Sequence, residues 1–274
     1  MIPSRPFDYP PGFTGTIAKV GFGFDSGANA YKVFYLTMPN MEDPYVDDFV
    51  VDGQVVDDCC LIDIYNLSSN SWRRQNFSFE PGPIYYGIFF HGSYHWVSSH
   101  RGEVVIAVFD MSLEVAREMK CPDKNVFGCG IYSNFSILEG NLSFVLVSPQ
   151  TYVSPQAYVS AQANIESINM VPQSVAIWVM TEYGNDASWT KKCTIRTFYG
   201  IFGNLSCWNN DRLLFDSNHG EENGVPMGEL SSCELQEEDN LDIQQVKRYG
   251  IVGSRGSLEV VIYKESLAPV PIYL

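Results

Sequence analysis

The chain has 274 residues, 45% of them hydrophobic, 14% aromatic and only 18% charged, which supplies one large core and suits half-buried strands. It carries 17 Lys and Arg against 32 Asp and Glu, a formal net charge of −15, so it should repel nucleic acid and anionic membranes and attract basic partners. No run of about 18 apolar residues offers a membrane span, and Met1 to Gly12 hold no apolar signal segment.

From the N-terminus, Gly21-Phe-Gly-Phe-Asp-Ser-Gly27 has a glycine pattern reminiscent of a phosphate-binding loop. It lacks the G-x-G-x-x-G spacing and leads into the strand-like Tyr31–Leu36, so it reads as a strand entering a turn. Period-2 apolar runs then recur to the C-terminus: Lys32–Leu36, Cys60–Tyr65, Ile84–Phe90, Val104–Phe109, Leu142–Val147, Val175–Met180 and Leu258–Tyr263. Only Leu113–Met119 tempts a helical reading, and it is short.

The runs repeat at a higher level. A strand, a turn and a second strand with a bulky or charged anchor occur at Ile62…Trp72, Ile106…Glu118 and Ile177…Trp189, with a weaker copy from Leu230 to Val246. Between them sit Gly- or Asn-turn elements at His91-Gly92, Glu139-Gly140 and Asn209–Phe215. Ile64 and Val108, equivalent positions in the first two copies, are 44 residues apart. A unit of that length holding about four strands is a propeller-blade signature, and three and a half to four units are countable. Val147–Tyr152, Val153–Tyr158 and Val159–Asn164 are three copies of a six-residue unit; with their small polar residues and Pro they read as a surface loop over 148–173.

The acids cluster. Eight fall between Glu42 and Asp63 and nine between Asp216 and Asp242, with no Lys or Arg in either stretch. They read either as solvated acidic loops or as an electronegative docking rim. Catalytic and metal patterns are weak: His91, His95 and His100 near Asp110 are interrupted by Gly92, and no G-x-S-x-G occurs. The five Trp read first as core, with exposed ones as interface anchors. Seven Cys, an odd number without a CxxC pair, suit free thiols in a reducing compartment. Five Asn-x-Ser sequons, at Asn66, Asn76, Asn134, Asn141 and Asn204, point the other way, although Asn66, Asn141 and Asn204 lie in turn-like contexts.

Taken together, several segments resemble a known family. Gly21–Ser26 with Asn29–Val33 resembles the "GFGFD…DYKV" segment of plant F-box-associated domains, and Tyr65–Arg73 their "YxLxxxSWR". Gly92–Trp96 resembles "GxxHW", and Ile177–Gly184 with Ser188–Lys191 resembles "IWVMxEYG…SWTK". Gly228–Leu235 and Tyr263–Leu267 are similar to the C-terminal part of the S-locus F-box proteins of pollen. The F-box and the "LWNPxT" strand segment that precede this domain in the family have no counterpart here.

The resemblance implies an all-β, propeller-like (kelch-like) repeat of short antiparallel strands, incomplete at its N-terminus, forming one domain over 1–274. It implies a non-catalytic substrate-recognition domain of a Skp–cullin–F-box ubiquitin ligase. In the S-locus subgroup the targets are basic pistil ribonucleases, recognised in the pollen cytosol. The Skp adaptor and cullin would be reached only through the F-box; no cofactor, metal, nucleic acid or membrane partner is expected. The candidate target-binding residues are Asp47, Asp48, Asp57, Asp58, Glu221, Glu222, Tyr152 and Tyr158. The alternatives are another F-box subfamily with a different target and, from the sequons, a secreted lectin-like or hydrolytic propeller.

Overall fold

The structure, a computed structural model, describes residues 3–6, 15–39, 49–51, 54–56, 59–78, 87–100, 103–123, 132–149, 173–197, 201, 206–235, 246–255 and 257–258. At 15–19, 38–39, 49–51, 54–56, 59–60, 76–78, 99–100, 132, 149, 173 and 197 it describes the backbone alone.

Four four-stranded antiparallel sheets account for most of these residues. Sheet 1 contains β1 (Gly15–Asp25), β2 (Ala30–Pro39), β5 (Cys59–Asn66) and β6 (Ser71–Ser78) in that order. The β2–β5 connection includes a separate hairpin of β3 (Phe49–Val51) and β4 (Gln54–Val56). Sheet 2 contains β7 (Ile88–Phe90), β8 (Ser93–His100), β9 (Glu103–Asp110) and β10 (Ala116–Lys120). Sheet 3 contains β11 (Tyr132–Leu138), β12 (Asn141–Pro149), β13 (Gln173–Met180) and β14 (Trp189–Thr197). Sheet 4 contains β15 (Ser206–Trp208), β16 (Arg212–Glu222), β17 (Val225–Glu234) and β18 (Lys247–Ser254). Each is an up-and-down meander, the form of a propeller blade, so the all-β, propeller-like expectation holds.

The repeat elements of the sequence map onto these meanders. Each turn element joins the first two strands of a sheet, and each anchored element joins the last two. His91-Gly92 and Glu139-Gly140 are two-residue turns with positive φ at both positions (48° and 76°, 53° and 77°). That geometry matches strand twist and is why a left-handed residue and a Gly recur there.

Leu113–Met119 is not helical. Asp110 Oδ1 accepts the amides of Ser112 and Leu113, both at 2.8 Å, and Glu114 takes φ 53°. This side-chain-closed turn ends the local run, and β10 follows as an extended strand. Among the described residues the only helical piece is a 3-10 turn, Asp186–Ser188.

The chain divides into two compact units, 1–120 with 266–274, and 121–265. In the first unit, Phe34, Leu36, Ile62 and Ile64 of sheet 1 meet Tyr94, Trp96, Ala107 and Phe109 of sheet 2 and Met111 of the turn after β9. Phe34 packs edge-on against Tyr94 at 4.8 Å. A Cβ at Gly21 would strike the Phe34 ring, and one at Gly23 the Phe89 ring, so the glycines of the Gly21–Asp25 segment admit aromatic rings against the strand. In the second unit the core runs from Val145, Val175 and Ile177 of sheet 3 to Cys207, Leu213 and Phe215 of sheet 4.

Each unit has two distinct ends. In the first, the β1–β2 and β9–β10 turns touch: Ser112 Oγ donates to Asp25 Oδ1 at 2.6 Å. In the second, the Glu139 amide donates to Asn210 Oδ1 at 2.8 Å, so β11 and β15 finish side by side. The second-to-third strand connections therefore leave from the opposite end of each unit.

Candidate functional site

The longest hairpin of the second unit is built by β16 and β17, 11 and 10 residues long. Its register shifts between Asn218 and Gly220, where the Gly220 amide donates to Asn218 Oδ1 at 3.2 Å. Beyond this bulge the strands continue to a two-residue Asn223-Gly224 turn with φ 53° and 77°. Glu221 and Glu222 stand at that tip, both exposed. Among the described residues no ion pair holds either carboxylate. The tip thus presents two adjacent negative charges on a rigid turn, beside the exposed Val225.

Three other members of the acidic stretches are buried. Asp63 is wholly buried in β5, bound by Arg5 at 2.9 Å and by Arg74 at 2.6 Å. Asp216 is wholly buried in β16, close enough to Gly228 that a Cβ there would collide with its carboxylate. Glu229, in β17, is also buried. Burial alone would raise its pKa. His219 Nδ1 at 2.9 Å, the Gly250 amide at 3.0 Å and Arg248 at 3.4 Å reverse that, and it lies below the usual carboxylate range. The arginines that meet these carboxylates, Arg5, Arg74 and Arg248, lie outside the acidic stretches in the sequence and are brought in by the fold.

Asp47, Asp48, Asp57, Asp58, Tyr152 and Tyr158 lie outside the described residues. In sequence, the first four fall between β2 and β5, and the two Tyr between β12 and β13. Glu221 and Glu222 border the β16–β17 connection. Six of the eight candidates thus fall, in sequence, between the second and third strands of their sheets, and Glu221 and Glu222 are the last two residues of β16. Within the second unit, the β12–β13 and β16–β17 connections leave from the same end.

The Trp split as the sequence suggested: Trp96 is buried, whereas Trp208 is 40% exposed, as is Ile137 on the adjoining β11. At Asn66 the side-chain oxygen accepts the amides of Ser68 and Ser69, so that sequon is turn chemistry. Asn134 is buried in β11. His95 is buried beside Ile88 O, and burial pushes its pKa down to about 4.

A buried ionic cluster was not legible as such. Lys32, 2% exposed, donates to Met111 O and to Glu114 Oε1, both at 2.6 Å, and pairs with Asp25 at 2.6 Å. Arg73 also binds Glu114. Burial alone would raise the Asp25 pKa, but hydrogen bonds from Lys32, Ser112 and the Ala28 amide, with the Lys32 charge, bring it to about 2. The sequence signal was present: Asp25 and Lys32 are the charged residues of the Gly21–Val33 segment, and both point into an otherwise apolar face.

The arrangement presents a charged hairpin tip on a β-sheet scaffold. No helix among the described residues is long and apolar enough to cross a membrane. The family model of the F-box associated beta propeller domain matches residues 12–221. F-box protein CPR1 of Arabidopsis thaliana is 24% identical over 216 residues, covering 71% of this chain and 45% of that protein. The chain thus spans less than half the length of this curated relative. Among solved structures, TolB from Acinetobacter baumannii is similar at 14% identity and a TM-score of 0.36, over 83% of this chain and 51% of that one.

Proposed function

The chain belongs to the F-box associated beta propeller domain family, and we propose that it is the non-catalytic target-recognition module of an F-box protein. Ubiquitin transfer then belongs to other subunits, with the Skp adaptor and cullin engaged through an F-box elsewhere in the protein. The finer reading is the S-locus type, acting in the pollen cytosol on basic pistil ribonucleases. Its support is the resemblance of Gly228–Leu235 to that subgroup, together with the sign of the charge.

The observation that carries the recognition reading is the exposed acidic tip at Glu221 and Glu222, on the end of its unit where β12 finishes and β13 begins. Charge at such a tip raises encounter rates with basic proteins and coarsely selects among them. Discrimination among related basic targets then falls to shaped contacts in the connections.

The test replaces Asp47, Asp48, Asp57 and Asp58 with Asn and Glu221 and Glu222 with Gln. Association with a basic ribonuclease is then followed against salt, with an acidic protein of similar size as control. A lower on-rate and a flatter salt dependence support the proposal. Unchanged kinetics would reduce the acidic connections to a solubility device.

A further inference from the structure

Sheet 1 has two faces of different character. One carries Phe34, Leu36, Ile62 and Ile64 and packs on sheet 2. Strand alternation puts Tyr35, Tyr65 and Trp72 on the other, together with Phe22 and Tyr31. Trp72 lies 5.5 Å from the Tyr35 ring and 5.1 Å from Tyr65. Phe22 and Tyr31 stack nearly parallel at 5.1 Å, and Phe22 is 53% exposed.

One end of this aromatic face is occupied by the chain itself. Residues Pro3 to Pro6 cross it without regular secondary structure. Trp72 Nε1 donates to Pro3 O at 3.1 Å. Two residues on, Arg5 places its guanidinium over the Tyr35 ring at 5.4 Å, donates to Asp63 Oδ2 at 2.9 Å and reaches Thr37 Oγ1 at 3.5 Å. Pro3, Ser4 and Pro6 are exposed. Among the described contacts of this segment, sheet 1 holds one backbone carbonyl and one arginine.

These are the elements by which aromatic grooves capture extended, proline-containing peptides: an indole N–H for a carbonyl, ring faces for a cation, and a carboxylate for a guanidinium. Asp63 is also bound twice by Arg74, at 2.6 and 3.0 Å. Departure of Arg5 therefore leaves no buried carboxylate without a cation, which lets this site exchange its occupant. A buried carboxylate that depended on Arg5 alone could not release it so readily.

We infer that the outer face of sheet 1 is a groove for an extended, arginine-bearing segment of a partner protein, and that residues 3–6 fill it in cis. The cis segment competes with the partner, so an incoming segment must present a carbonyl and, two residues later, an arginine. Exposed Phe22 and Val20 extend the groove beyond the part the cis segment uses. The groove binds such a segment whatever the strand connections recognise.

The test uses the full chain and a fluorescein-labelled peptide with the sequence of residues 2–7, followed by fluorescence anisotropy. Arg5→Ala strips the cis competitor of its anchor and leaves Asp63 with Arg74. The labelled peptide should bind this variant about tenfold more tightly than the unaltered chain, the change expected when a competitor loses roughly one charged hydrogen bond. The same peptide with its arginine replaced by alanine should fail to bind. Trp72→Phe in the Arg5→Ala background keeps the ring packing, removes the N–H and should weaken binding several-fold. The inference is overturned if the Arg5→Ala protein melts cooperatively yet binds the peptide no better than the unaltered chain. It is equally overturned if the arginine-free peptide binds as well.

Discussion

Replacing Lys32 with Met tests whether the first unit rests on its buried ionic cluster. Lys32 is 2% exposed, and its ammonium meets Asp25, Glu114 and the Met111 carbonyl, each at 2.6 Å. Met fills a similar volume, so little cavity is added; what is lost is the cation between two carboxylates that are themselves 2% and 4% exposed. Asp25 keeps Ser112 and the amides of Gly27 and Ala28, and Glu114 keeps Arg73. Removing one partner of a buried pair typically costs about 3–5 kcal/mol. The retained partners put this case at the lower end, about 3 kcal/mol, or roughly 10 °C in melting temperature. Urea unfolding and thermal melts of the Lys32→Met chain measure it. Adding Glu114→Gln removes one stranded charge and should recover about 1 kcal/mol, a coupling that a double-mutant cycle reads directly. A loss below about 1 kcal/mol for Lys32→Met, or strict additivity in the cycle, would refute a stabilising role for the buried ionic cluster.

The titrating groups set an acid profile: His95, with its pKa pushed down to about 4 by burial, binds its proton more readily unfolded. Stability should fall as pH drops from about 6.5 towards 4, and in a His95→Gln chain the urea midpoint should be flat across that window. Asp25, held at about 2, adds stability that is present above its unfolded pKa and lost as pH falls from about 4 towards 2; Asp25→Asn should lose that second slope. Burial pushes the thiol of Cys233 up to about 12 and of Cys207 to about 11, so a thiol reagent near neutral pH should label these two only on unfolding, as mapped by mass spectrometry. Gly23→Ala drives a methyl into the Phe89 ring and should cost about 1–3 kcal/mol in a urea titration.

Period-2 alternation and left-handed turn residues are properties of a few neighbouring amino acids, and they made the blade-like meanders readable from the sequence. His91-Gly92 and Glu139-Gly140 are turns because those residues accept positive φ, whatever the rest of the chain does. The acidic stretches show where such reading stops. Asp57, Asp63, Glu221 and Glu229 look alike along the chain, yet Asp63 and Glu229 are buried and Glu221 is exposed. The difference comes from cations that the fold delivers: Arg5 reaches Asp63 across 58 residues, and Arg248 reaches Glu229 across 19. Likewise Leu113–Met119 carried a helical spacing that Asp110 overrode by closing a turn, and the Lys32 cluster depends on Glu114, 82 residues away. Strand class, turn positions and net charge follow from local geometry and composition, so the order of residues alone settles them. Which charges reach solvent was decided only in the tertiary structure, because burying an ion requires a counter-ion in space, and neighbours in space are not neighbours in the chain.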